Sequence, residues 1–550
     1  MLHRLETLIQ KKVPRIALSA TLGDIQEVAR ILRHDSDLKT RIIESDKYRH
    51  DLMLQIKGYV NKDSKLGESP TSFEDISEHL FENLRGKSNL IFANSRRNVE
   101  YFATSLREKS ESKGVPNEFF PHHGSLSKEL REDLEKRLQR HSLPTTAVCT
   151  STLELGIDIG SVHSIAQVDV PGSVSSIRQR LGRSGRRLDE ASILRVYVDE
   201  NEINSRSSLY DKLRMHTLQS VAVVELLKQK WYEPPNKGKF NFSTLVQQVL
   251  SLLAQFGGFD AKEAWMLLCL TGPFGSITSA QFAQLLRGLA EKQIIKQTHD
   301  GTIVLDLKGE RIVNHYSFYA AFQTPEEYRL IYNTKLLGTL PVSNPLKEND
   351  FIIFAGRRWK IQAIIEEKKE IILVPSTGGF PRFSGTGFLI HKKIRQEMLN
   401  LYLAFPVPKY LDQKARDNFI EGKNYFAKQR LDESPIIQSG KDSEVVIWLG
   451  DDAIITLVLI FGYFKVSVSN FGNTIQFQNM TKSEAISVIS KIIQGEIPSP
   501  EELLSNAKNL AREKYDVLIP NQLLVEQFSE NSLAVDDAID WMKNVVYKPN

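Results

Sequence analysis

The chain has 550 residues, a formal net charge of +4, 41% hydrophobic and 25% charged residues, which describes an ordinary soluble globular protein of three or four domains. So small a net charge does not announce a nucleic-acid binder, and any basic surface has to be local. Two distant cysteines, Cys149 and Cys269, exclude a disulfide framework and zinc spacing and suit a reducing cytoplasm.

From the start, RIAL (15–18) reads as a buried strand running into Ser19-Ala20-Thr21, and GDIQEVARIL follows as a helix with Asp24 as N-cap. The opening residues have no charged-then-apolar leader, which argues against secretion. From 73 to about 200, apolar strands alternate with amphipathic helices. The strands are SNLIFANS, NEFFPHHG, TTAVCTST, HSIAQVDVP and SILRVYVDE, and the helices between them include RRNVEYFATSLREKSES, KELREDLEKRLQR and SVSSIRQRL. That alternation predicts a doubly wound parallel sheet wrapped by helices.

Residues 206–315 change to three helical segments followed by two short strands around Asp300-Gly301, a tight-turn signal, which is the layout of a winged helix. Residues 316–550 begin with short strands (350–376), then helical segments at 391–430 and 482–515. They read as an α+β unit with a small barrel or strongly bent sheet. The most apolar run, AIITLVLIFGYF (453–464), is too short to span a bilayer and reads as a buried strand or helix.

The most specific chemistry lies in RQRLGRSGRR (178–187), with five arginines in ten residues. A solvated basic face is the usual fate of a charge run. Here glycines at 182 and 185 interrupt the helix, and glycine lets backbone approach a ligand while guanidinium forks onto phosphate oxygens. TSTLELGIDIG (150–160) puts Thr150 and Ser151 at the carboxyl edge of the sheet, where open α/β sheets bind ligands. Gly156 and Asp158 follow with backbone approach and one carboxylate, which alone would read as a turn-capping aspartate. IFANSRR (91–97) and HHGSLS (122–127) are strand ends whose small polar residues precede helices and can offer N–H donors to an anion. His122 and His123 lack metal-ligand spacing, and no metal site is expected.

In this order, SAT (19–21), LIFANS, TSTLELGIDIG and QRLGRSGR (179–186) resemble motifs III, IV, V and VI of superfamily 2 nucleic-acid helicases, covering 14–187. GRRWKI (356–361), FYAAFQTPEEYRL (318–330), PRFSGTG (381–387) and AREKYD (511–516) extend the likeness to the large helicase-related (Lhr) family over nearly the whole chain. The resemblance implies ATP-driven 3′-to-5′ translocation on single-stranded DNA, with unwinding of duplexes and RNA–DNA hybrids in repair. It implies that Gln179, Arg183 and Arg186 face ATP, the two arginines acting as fingers on the γ-phosphate, with Gly182, Gly156 and Asp158 near the nucleotide. Asn94, Ser95, Gly124, Ser125, Thr150 and Ser151 would track the sugar-phosphate backbone, and Ser19 and Thr21 would couple hydrolysis to strand movement. Trp359 reads first as a strand core residue; the sharper reading makes it a base-stacking side chain beside Arg357.

A phosphate cradle, G-x-x-x-x-G-K-[ST], and a magnesium-holding acidic motif are both missing: RGKS (85–88) lacks the earlier glycine and precedes a strand. The expected organisation is therefore a remnant of the first RecA-like lobe (1–40), the second lobe (41–205), a winged helix (206–315) and the family's accessory domain (316–550). ATP and Mg2+ would need a P-loop lobe carried elsewhere, on a separate chain among other possibilities. A non-catalytic nucleic-acid-binding module and a defence-system subunit with a partner ATPase are the alternatives. The phosphate-sensing arginines disfavour the pure binder.

Overall fold

The apolar quartets and quintets NLIF, TAVC and SIAQV are buried at every position, as strands covered on both faces must be. In the computed structural model they belong to six strands: β1 (Leu52–Asn61), β2 (Asn89–Phe92), β3 (Phe119–His122), β4 (Thr146–Cys149), β5 (Ser164–Val168) and β6 (Ser192–Asn201). The sheet order is β1-β6-β5-β2-β4-β3, and every pairing is parallel. The structure describes all residues except 20, 22, 33–39, 45–50, 63–69, 125, 127, 141, 155–158, 186–190, 206, 236–239, 323–327, 341–345, 355–356, 377–380, 384–388, 506, 508 and 548–550; at 338–340, 351, 353–354, 357–358 and 381–383 it describes backbone only.

Helices cover both faces of the sheet. Ser72–Leu84 and Arg96–Ser112 bury Phe73, Leu80, Phe102 and Leu106 on one side. Lys128–Arg140 and Val174–Leu181 bury Leu134, Leu138 and Ile177 on the other. The expected doubly wound layer is present.

Two segments depart from the expected boundaries. Helix Met215–Lys228 buries 12 of its 14 residues, and its core is that of the parallel sheet rather than of the helices after it. Helices Lys392–Leu403 and Gln413–Lys428 return to the same core. Ile56 of β1 donates its N–H to Tyr410 (2.9 Å) and accepts from Asp412 N (3.0 Å), so the distant segment seals this edge strand. A helix buried all round has no amphipathic face to reveal its partners, which is why chain order misplaced it.

Helices Phe242–Phe256, Ala261–Trp265 (continuing as a π turn, Met266–Leu270) and Ser279–Glu291 are followed by the hairpin Ile295–Gln297/Ile303–Leu305. Gly301 takes φ +88° in its turn, a value that favours glycine, as the Asp-Gly pair predicted. Beyond it lies a six-stranded sheet of mixed direction built from residues 328–383. A four-stranded antiparallel sheet within 436–477 was not anticipated. The apolar run is a helix, Asp451–Tyr463, buried against this sheet. Among the described residues no helix is long and apolar enough to cross a membrane.

The expected buried strand at 15–18 is a correction. The segment has no strand geometry, and Ile16 and Leu18 are 86% and 94% exposed. A strand needs a neighbour for its N–H and C=O groups, and no described residue offers one. The helix after it, Ile25–Leu32, forms as expected, with the Asp24 carboxylate accepting from Glu27 N (3.1 Å).

Candidate functional site

Because β2, β4 and β3 are neighbours and parallel, their carboxyl ends bring Asn94, Ser95, Thr150, Ser151 and Gly124 to one sheet edge. Ser95 caps helix Arg96–Ser112 by accepting from Asn98 N (3.1 Å), and Asn94 Nδ2 donates to Val170 O (3.0 Å). Ser151 opens a short 3-10 turn and is exposed, and Gly124 has open space where a Cβ would stand. Ser125 lies outside the described residues, as do Gly156, Asp158 and Arg186. His122 and His123 are occupied by Thr152 and Glu135, and by Glu100.

The arginine-rich segment divides its cations. Arg180 points inward: its Nε and Nη2 donate to Glu154 Oε2 (3.0 and 2.9 Å), Nη1 meets Gln167 Oε1, and the guanidinium lies 4.6 Å from the Phe92 ring centroid. Arg180 is therefore not offered to an outside anion, since its counter-charge is the chain's own Glu154. Arg183 remains partly exposed and donates from Nη2 to Glu154 O (3.1 Å). Glu154 thus fixes two arginines, one by its carboxylate and one by its carbonyl. Gly185 has φ +66° and would bring a Cβ to 2.6 Å from Ser192 Oγ, so the turn after Arg183 requires glycine.

The Ser-Ala-Thr segment meets this helix. Gln179 Nε2 donates to Thr21 Oγ1 at 3.0 Å, and Thr21 N donates to Ser19 Oγ at 3.3 Å. A Cβ on Gly23 would come within 2.3 Å of Tyr232 O, so the segment is seated on the linker after helix Met215–Lys228. That linker's Glu233 carboxylate accepts from Val174 N (2.7 Å) and Ser175 N (2.8 Å), opposite the positive end of the arginine helix. Glu233 and Gln167 were not legible as site residues in sequence; Glu154 stood inside a quoted motif but carried no distinguishing signal.

Trp359 is a correction to the stacking assignment. It is 4% exposed and packs 5.1 Å, centroid to centroid, from Tyr332, so it has no face to offer a base. Arg357 lies beside it in strand Arg357–Ile365, its side chain outside the described set.

At the root of the helix, Asp169 (φ +68°) is half-buried, and desolvation of its carboxyl followed by the Asp199 carboxylate raises its pKa to about 6, against hydrogen bonds that include one from Asn98 Nδ2 (2.9 Å). The folded chain thus holds a proton that an unfolded aspartate loses near pH ~4. Its stabilising contribution is complete below that pH and lost as pH rises through about 6. Asp169→Asn, tolerated in the left-handed region, should gain about 3 kcal/mol relative to wild type between pH ~4 and ~7. Denaturant unfolding of both proteins across that range checks it; parallel pH profiles would contradict the burial argument.

The helicase conserved C-terminal domain family matches residues 71–187. ATP-dependent helicase Lhr-Core protein 2 of Thermococcus barophilus is 26% identical over 403 residues, 69% of this chain and 44% of that protein. Lhr helicase/uracil glycosylase of Escherichia coli is 30% identical over 439 residues, 68% of this chain and 27% of that protein. The chain belongs to the Lhr family of superfamily 2 helicases. Its fold is similar to that of Mycobacterium smegmatis helicase Lhr bound to ssDNA and AMP-PNP, with a TM-score of 0.67 at 19% identity, covering 100% of this chain and 74% of that one. This Lhr-family chain spans less than half the length of the two curated relatives above.

Proposed function

We propose that the chain is the sensing and strand-gripping part of an ATP-dependent Lhr-type helicase, working against a P-loop lobe that holds ATP. The observation that carries this reading is the Gln179–Thr21 hydrogen bond beside the bare Ile16 and Leu18. It ties the arginine helix to a segment whose apolar residues await cover by another body. On this reading 1–40 belongs to the first RecA-like lobe and 41–205 to the second. Residues 206–315, apart from the helix Met215–Lys228 that joins the parallel-sheet core, supply a winged helix, whose wing is the 295–305 hairpin, and 316–550 an accessory unit, with the returning helices bracing the second lobe.

Arg183 and Arg186 reach the γ-phosphate as fingers, and Gln179 relays their position to Thr21 and Ser19. Gly182, Gly156 and Asp158 line the nucleotide side. Asn94, Ser95, Gly124, Ser125, Thr150 and Ser151 grip the backbone of a single strand or an RNA–DNA hybrid, moving 3′ to 5′ in repair. The residues present fit one side of ATP. On this reading Mg2+ would be held by the acidic motif of the P-loop lobe. Nucleic-acid-stimulated ATP turnover, measured with and without such a lobe, tests the reading.

A further inference from the structure

The segment HYSFYAAF (315–322) carries aromatic rings that the site above does not use. Tyr316 and Tyr319 are 82% and 87% exposed, although they flank Phe318, which is 6% exposed. All three lie on one 3-10 turn, Tyr316–Tyr319. In such a turn side chains at i and i+3 eclipse, so the two tyrosines leave from the same face with their attachment points about 6 Å apart along its axis. That separation is close to the ~6.8 Å that two successive ~3.4 Å stacking steps occupy. One flat ring inserted between them, or two bases laid across them, meets the spacing; a rounded aliphatic side chain does not.

The turn is held from beneath, and the Tyr316 ring lies 4.5 Å, centroid to centroid, from that of His315. His315 caps it by accepting from Ser317 N (3.3 Å), and Phe318 sits 6.4 Å, centroid to centroid, from Tyr515. Lys514 Nζ donates to Ala320 O (2.6 Å) and to Ser317 O, putting a cation directly below the platform. Exposed Lys308 and Arg311 stand on the helix leading into the turn, Leu307–Asn314, and Lys292 joins the same neighbourhood through Val517 O (2.6 Å). The acids on these segments are Glu310, Glu513, Asp306, engaged with Leu307 N (2.8 Å), the buried Asp516, which accepts from Arg512 N and Glu513 N (2.9 and 2.8 Å), and Glu291 next to Lys292. Rings of this exposure beside separate cations are the ingredients of a sequence-tolerant single-strand contact: π-faces for the bases and ammonium or guanidinium groups for the phosphates.

We propose that Tyr316 and Tyr319 form a two-ring platform on which bases of a single-stranded nucleic acid stack, away from the sheet-edge site. The proposal deepens the nucleic-acid side of the function above and rests on it. Because the rings are exposed, Tyr316→Ala/Tyr319→Ala should melt with the wild type. The test is the fluorescence anisotropy of a labelled oligothymidylate titrated with the full chain. The double alanine variant should bind about tenfold more weakly, in keeping with base–aromatic stacking of ~1–3 kcal/mol per base. Tyr316→Phe/Tyr319→Phe should keep wild-type affinity, and the salt dependence should be unchanged in all three, since the phosphate contacts persist. Wild-type affinity in the alanine variant would overturn the proposal and leave the face as a protein-docking surface; so would failure of the wild type to bind the oligonucleotide. ATP turnover with an added P-loop lobe is read separately, so loss of the platform and loss of the motor function are distinguishable.

Discussion

In an assembly completed by a P-loop lobe, Arg186→Ala is expected to lower kcat for ATP hydrolysis by about three orders of magnitude. Hydrolysis spreads charge over the transferring phosphoryl group, and a guanidinium aimed at it acts mainly in the transition state, so KM for ATP should move far less. The described residues that lead up to Arg186 are fixed by local structure. Helix Val174–Leu181 is capped by Glu233, Arg183 is tethered to Glu154 O, and the positive φ of Gly185 turns the chain just before residue 186. Arg186→Lys keeps the charge but loses the planar fork, and should recover only part of the rate. Steady-state turnover of the three proteins decides the point; full activity in the alanine variant would remove the finger assignment.

Glu154→Ala should destabilise the fold by about 3 kcal/mol, because it leaves the Arg180 guanidinium buried without its counter-charge. The side chains of this pair are 8% and 11% exposed, so water cannot replace the carboxylate, and Gln167 with the Phe92 ring offers only a neutral amide and a π-face. Glu154→Gln, which keeps an acceptor, should lose less. Arg180→Met/Glu154→Leu should recover most of the loss, since removing both charges also removes their desolvation. Urea unfolding reads all three variants. A loss below about 1 kcal/mol in Glu154→Ala would mean that the pair is not buried as a unit.

The strands and crossover helices of the parallel sheet were legible because each carries its own periodicity. RRNVEYFATSLREKSES and KELREDLEKRLQR became helices with those limits, and NLIF and SIAQV became strands buried at every position. Elements whose burial depends on distant chain were not. Helix Met215–Lys228 is apolar nearly all round, and helices Lys392–Leu403 and Gln413–Lys428 join it from far along the sequence. The four-stranded sheet within 436–477 is built of strands four or five residues long, too short for alternation to stand out. The segment at 15–18 failed in the opposite sense: its residues suit a strand, but a ladder needs a neighbour. At the site, composition gave the arginines, while geometry divided them into an inward Arg180 and a partly exposed Arg183. The partners that do the positioning, Glu154, Gln167 and Glu233, are ordinary polar residues until the fold brings them together.

We propose that this chain senses and couples ATP hydrolysis while a P-loop lobe holds the nucleotide's phosphates. Single-strand-stimulated ATP turnover should be absent for the chain alone and should appear once a P-loop lobe is added. Robust hydrolysis by the chain alone would overturn this division of labour.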